Sequence, residues 1–439
     1  MRATGVRDSE TTKAVGLAAA TMGANLAAVG FTVVFARILG ADGYGSLAAL
    51  LNLTIILMVP GSALQIAAAR EGTLGRLGVG GELAATLNGW TRRVLLGVGV
   101  VAALSIAARG PLAALLNVRQ EWAAAAVLPT GALWLLLCLQ RGLLQSTRSY
   151  GAVGFNVILE AFGRLVIGAA FVVVGLGVTG AYLGTLASFA LAACVLAVVQ
   201  RRRLGVPTGV GHPLGQLLRG AGVPIGALVL VAVLQNVDVI MARHALDEVE
   251  SGVYAAATVA GKAVVWIAVG LGFYVLPEAT HRAAAGEDPR TVLLRALAVI
   301  GAIAAVALVA FATIPALLLR TAFGAEFETG DDILLVLGMA YASLAATYLA
   351  VQFLLGLHRR TFLVALGLAA LAEPLLLLGA GSIESFAATV LSVQAVAAVA
   401  VLALCVRRPE TAAPVTDVTD LGSARTPGRE STSAPLSLR

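Results

Sequence analysis

The 439-residue sequence is poor in charge, lysine, cysteine and aromatic side chains, and each shortage excludes something. Charged residues make up 12%, against about a quarter in soluble domains, so there is too little of them to clothe a water-exposed surface. Lysine occurs only at Lys13 and Lys262. The three cysteines, Cys138, Cys194 and Cys405, all fall inside apolar runs. That placement argues against a disulfide framework or a thiolate metal set and leaves buried packing thiols. HExxH, GxSxG, a phosphate loop ending in GK with Ser or Thr, and paired CxxC are all missing. The reading is therefore not an enzyme, with no cofactor and no metal centre. A GxGxxG match at Gly175–Gly180 lies at the end of an apolar run with no preceding strand, and reads as a turn between helices. His212, His244, His281 and His358 are scattered over loops and run ends, as solvated interface residues are. No soluble segment is large enough to hydrolyse ATP, so any transport draws on an ion gradient, the membrane potential or the substrate gradient.

What the sequence does contain is hydrophobic: 59% of residues, with 49 glycines in addition, and a mean hydropathy of +0.92. Apolar runs of about 20 residues, the length of a helix crossing a bilayer, recur along the chain. The expected fold is an all-α polytopic membrane protein, since a barrel would need shorter, alternating segments. About twelve spans are expected, near 14–38, 45–69, 90–108, 122–146, 151–175, 179–200, 220–243, 252–276, 293–318, 332–356, 361–380 and 384–406. The basic residues fall in alternate loops: Arg70, Arg76, Arg92 and Arg93; Arg201, Arg202, Arg203 and Arg219; Arg282 and Arg290; Arg359 and Arg360. That side is expected to be cytoplasmic, with both termini on it, in the inner membrane. The net charge of +6 reflects this loop bias rather than a nucleic-acid partner. The expected division is a cytoplasmic N-terminus over 1–13, a six-helix bundle over 14–203, a linker over 204–218, a second bundle over 219–406 and a disordered cytoplasmic tail over 407–439.

Two segments echo one another. FARILGADGYGS, from Phe35 to Ser46, is matched by IMARHALDEVESGVYAA, from Ile240 to Ala256. Arg37 and Arg243 stand 206 apart, Tyr44 and Tyr254 stand 210 apart, and Arg148 and Arg359 stand 211 apart. The chain therefore reads as two copies of one six-helix unit. The expected topology puts Arg37 and Arg243 at the outer rim, where they shape an outer gate.

Ionisable groups inside spans cost roughly 2.5–3.5 kcal/mol at a helix centre, so they face a cavity or a partner. Glu160 and Arg164 are four apart, the spacing of a pair on one face. Lys262 is mid-span with no acid at helical spacing in its own helix, which points to a ligand-facing role. Asp238 follows Gln235 and Asn236, Glu373 precedes Pro374, and Arg141 is near the cytoplasmic end of its span. Under the duplication Glu160 and Glu373 take similar places in the two halves, across a central cleft. Asp238, Glu373 and Glu160 are the candidate cavity acids or ion-coupling groups. Arg164, Lys262 and Arg141 are the candidate contacts for an anionic headgroup.

The stretches ARILGADGYGSLAALLNL, ILEAFGRLVIGAAFVVVGLG, LQNVDVIMARHAL and SGVYAAATVAGKAVVWIAVGLGFYVLPEAT resemble the polysaccharide-biosynthesis, oligosaccharide flippase branch of the multidrug/oligosaccharidyl-lipid/polysaccharide (MOP) exporters, over about residues 14–406. The resemblance implies a MATE-like fold, two six-helix bundles alternating access to a central cavity. It implies a polyprenyl-diphosphate-linked oligosaccharide moved from the cytoplasmic to the outer leaflet for surface-polysaccharide synthesis. Membrane lipid and polysaccharide synthesis enzymes would be its partners. Family cavities are cationic, which Arg164, Lys262 and Arg141 would supply, although the acids here make the cavity mixed. Two alternatives stay open: a cation-coupled multidrug or organic-cation antiporter of the same superfamily, and a non-transporting scaffold of a synthesis complex.

Overall fold

Inside a bilayer every backbone N–H and C=O must be bonded within the chain, and among the described residues helices alone do this. The computed structural model describes residues 2–406, with residues 2–15, 17–19, 216 and 218–221 described as backbone only. The expected tail over 407–439 lies outside the described residues. In chain order the main helices are α1 Arg2–Thr73, α2 Gly81–Ala107, α3 Arg109–Leu115, α4 Glu121–Ser146, α5 Tyr150–Phe171 and α6 Gly177–Leu204. They continue as α7 Leu214–Ala245, α8 Glu248–Ala284, α9 Arg290–Thr313, α10 Pro315–Ala322, α11 Asp331–Gly356, α12 Phe362–Leu377 and α13 Ile383–Val406.

Nine described segments are long and apolar enough to cross a membrane, two of them, of 54 and 55 residues, being double length, and α12 is a shorter apolar helix. The double segments divide at glycines. In α1 the break is Gly40, at φ 68° and ψ −179°, a conformation open to glycine but strained for residues with a Cβ. Between α5 and α6 it is a π turn over Val172–Leu176, with Gly175 at φ 92° and Gly177 at φ 51°. With both divided and α12 counted among them, six apolar segments fall in each half of the described chain.

Some expected boundaries move. Helix α1 runs from Arg2 through position 13 without a break, and α2 starts at Gly81 rather than near 90. The connection between the halves ends where α7 begins at Leu214, so 214–218 of the expected linker is helical. Leu217 packs into the first half's core beside Trp90 and Leu196. Cys138 and Cys405 are buried as expected, but Cys194 is exposed, because it shares the outer-facing stripe of α6 with Leu191 and Val198.

The duplication is plainer in the helices than in the residues. Helices α4 and α11 are both 26 residues long and begin 210 apart, and α3 and α10 begin 206 apart. Helices α4 and α11 are also the most buried spans, at 72% and 67% of their apolar windows. Each is the post around which its half packs. Leu133, Leu137 and Leu143 of α4 join Trp90 and Phe189 in the first half, while Leu337, Leu344 and Phe353 of α11 join Phe362 and Phe386 in the second. In lipid such contacts gain from close packing rather than from escaping water.

Candidate functional site

The second half encloses a polar centre on α7, α8, α11, α12 and α13. Asp238 on α7 is wholly buried. Its Oδ2 accepts hydrogen bonds from Tyr254 on α8 at 2.8 Å and from Tyr341 on α11 at 2.6 Å, while Oδ1 has no partner. Glu373 on α12 is equally buried, and its two oxygens accept from Gln394 Nε2 of α13 at 3.3 and 3.2 Å. The same amide donates to the Leu234 carbonyl of α7, one turn before Asp238. Lys262 on α8 donates to Asn236 of α7 at 3.3 Å and to Asn52 of α1 at 2.7 Å, with its Nζ 5.7 Å from the centre of the Tyr341 ring. Its hydrogen-bond acceptors are thus neutral amides, and the bond to Asn52 ties the halves together deep in the membrane.

In the first half the expected Glu160–Arg164 pair does not form. Glu160 Oε2 faces Arg141 of α4 at 3.5 Å, and Arg141 also donates to Asn156 at 2.9 Å and lies over the Trp134 ring at 5.3 Å. Spacing of four puts Glu160 and Arg164 on one face of α5, but α4 lies against the Glu160 turn and presents a buried guanidinium there. Arg164, one turn on, reaches α1 instead and lies 4.8 Å from the centre of the Phe31 ring. It is half-buried, and its Nε has no hydrogen-bond partner. Glu160 and Glu373 are each bonded within their own half, so neither faces an open cleft.

The echoing arginines meet the opposite half and do so reciprocally. Arg37 donates to the Thr321 and Ala322 carbonyls at the end of α10, at 3.1 Å for Ala322. Arg243 donates to the Asn117 carbonyl just beyond α3 at 3.3 Å, and Asn117 donates back to the Arg243 carbonyl. Under the 206-residue offset Thr321 and Ala322 correspond to Leu115 and Leu116, so the two arginines grip neighbouring positions at the end of the equivalent short helix, α10 for Arg37 and α3 for Arg243. Around them Asp42 approaches Arg243 at 3.7 Å, and Arg119 pairs with Glu248. Glu326 accepts the Ala41 N–H that the Gly40 break frees, at 3.2 Å. Gly252 packs directly on the Ala41 carbonyl, where any side chain would collide. Tyr44 seals the same rim against Phe323 and Phe327 of the second half.

Sequence reasoning missed Asn52, Asn156, Tyr341 and Gln394 as partners of the charges. The available signal was that three of the four are amides inside apolar runs. Asn117, Glu248 and Glu326 were hidden because they sit in polar loops where any residue would pass unnoticed.

No protein-family model and no curated protein sequence matches the chain. Solved structures do. An inward-facing multidrug-resistance MATE family transporter of the MOP superfamily superposes with a TM-score of 0.73 at 13% identity, covering 88% of this chain and 93% of the other. The lipid II flippase MurJ, in an inward closed conformation, superposes at 0.72 and 13%, covering 88% and 87%. A MOP superfamily transporter from Pyrococcus furiosus, described as having a binding pocket of reverse polarity, superposes at 0.55 and 15%, covering 90% and 95%. With its described helices in two equivalent halves, this chain has the fold of the MATE transporters and of MurJ.

Proposed function

We propose that the protein is a flippase for a polyprenyl-diphosphate-linked oligosaccharide, moved by alternating access from the cytoplasmic to the outer leaflet of the inner membrane during surface-polysaccharide synthesis. The observation that carries the reading is Arg164, a mid-membrane guanidinium bedded on Phe31 whose Nε has no partner. A cation kept there without a carboxylate bound to it is costly unless an anion visits. Lys262, bonded to neutral amides, is the second candidate contact in the opposite half. Arg141 is committed to Asn156 and Glu160, so its part is to hold the first half together beside the site. A diphosphate-sugar headgroup cannot cross hydrocarbon alone, whereas its polyprenyl tail can stay in lipid. The positive-inside bias supports cytoplasmic termini, and the proposed halves are 14–203 and 219–406.

The antiporter alternative has an observation of its own: Asp238 and Glu373 are two wholly buried carboxylates near one ammonium. That surplus suits a proton or cation as coupling ion, in an antiporter or in an ion-driven flippase alike. MurJ, named as a lipid II flippase, supports the lipid-linked cargo by analogy. The deciding experiment is flipping of defined polyprenyl-diphosphate sugars in proteoliposomes under imposed proton or sodium gradients. Arg164→Ala and Lys262→Ala are expected to impair flipping while leaving the amount of protein in the membrane unchanged. Undiminished flipping in both variants would dismiss the headgroup site.

A further inference from the structure

On the arginine-rich side α2 and α6 stand apart with α4 behind them, where Gln200 of α6 donates to the Gln140 carbonyl of α4 at 3.1 Å. Between them is a cavity of about 500 Å³, lined by Asn88 and Thr91 of α2, Gln200 and Arg201 of α6, and the Gly205–Pro207 part of the connection between the halves. The connection is then fastened to α2. Thr208 N–H donates to the Gly81 carbonyl at 3.0 Å, His212 N–H to Thr86 Oγ1 at 3.0 Å, and Trp90 Nε1 to the His212 carbonyl at 2.7 Å.

The charge around this cavity is unbalanced. Arg92, Arg93, Arg201, Arg202 and Arg203 are all exposed, and no ion pair joins any of them to a described carboxylate. By contrast Arg76, Arg109, Arg282 and Arg320 each have a glutamate within 3.2 Å. Glu82, at the start of α2, faces His212 at 3.4 Å instead. Along both helices the polar end gives way to lipid-facing residues on the same side. Asn88 and Arg92 are followed by exposed Leu95 and Leu96, and Arg201 lies below exposed Val198 and Leu191 in the chain. That is the profile of a phosphate with acyl chains beneath it.

We propose that this cavity binds the phosphate headgroup of an anionic glycerophospholipid, from the leaflet that meets the arginine-rich side, with its chains along α2 and α6. That leaflet is the cytoplasmic one under the topology proposed above; the binding itself depends on neither the cargo nor the direction of transport. Because Gly205–Pro207 forms part of the wall, a bound lipid braces the segment through which the halves are joined.

The test is retention of dioleoyl phosphatidylglycerol against dioleoyl phosphatidylcholine by the full-length protein, read by native mass spectrometry after delipidation. Selective retention of phosphatidylglycerol is expected. Arg92→Ala with Arg201→Ala should weaken it about twenty-fivefold, taking each arginine's surface contribution as about fivefold, and lysine at both positions should restore most of it. Ala197→Trp, which fills the cavity without changing charge, should also abolish it. Equal retention of the two lipids, or unchanged retention in both the double variant and the filled variant, would overturn the proposal, as would displacement by millimolar inorganic phosphate. A protein that retains phosphatidylglycerol selectively yet flips no lipid-linked sugar refutes the cargo reading and supports this one.

Discussion

On the topology proposed above, replacing Arg37 by alanine tests whether the rim contacts hold the outer side shut. Arg37 donates to two main-chain carbonyls of the opposite half, bonds that separation of the halves at the rim would break. A hydrogen bond from a charged donor contributes about 1.5–3 kcal/mol when well shielded. Arg37 is exposed, so roughly half of the lower figure for each of two bonds is the fair estimate, about 1.5 kcal/mol in all. That corresponds to about a tenfold shift of the population toward outward-open states. Arg243 is a poorer probe because it also bonds Ser251 within its own half, so its loss mixes gating with folding. The assay is the rate at which a membrane-impermeant thiol reagent, added from outside, modifies a cysteine introduced at Ala48 in a background lacking Cys138, Cys194 and Cys405. Ala48 lies one turn beyond Tyr44, buried against the second half. The rate should rise about tenfold in Arg37→Ala. An unchanged or slower rate would refute the idea that these contacts hold the rim.

Further outcomes follow from the buried charges. Glu160→Ala leaves Arg141 buried without its carboxylate, and should destabilise the protein by about 3–5 kcal/mol, visible as a lower melting temperature in detergent; Glu160→Ala with Arg141→Met should recover much of it. Asp238→Asn keeps an oxygen for the Tyr254 and Tyr341 hydroxyls while removing a negative charge. It should therefore leave folding intact and abolish the dependence of transport on a proton or sodium gradient, and an unchanged dependence would remove Asp238 from coupling. Tyr341→Phe takes away the 2.6 Å bond to Asp238 and should lower thermal stability by about 1–3 kcal/mol, with a smaller loss when Asp238 is already asparagine, whose neutral oxygen accepts a weaker bond.

Composition and run length settled the membrane class and the all-helical fold, because a bilayer admits only helices of a certain length and hydropathy. The duplication was legible in Arg37 and Arg243, and through it the idea of an outer rim. What the rim does was not legible, since the carbonyls of Thr321, Ala322 and Asn117 carry no side-chain signature. The polar centre was half legible: Asp238, Glu373 and Lys262 stood out as charges in apolar runs, whereas Tyr341 and Gln394 looked like ordinary span residues.

The sequence by itself determined an all-helical, twice-repeated membrane chain. Only the tertiary structure decided partners. It gave Glu160 to Arg141 rather than Arg164, tied Lys262 to Asn52 across the halves, and set each echoing arginine against main-chain carbonyls of the opposite half. The physical reason is that hydropathy cannot tell a helix face that meets lipid from one that meets another helix. Lateral arrangement, and with it every long-range charge pairing, becomes visible only once the helices are packed.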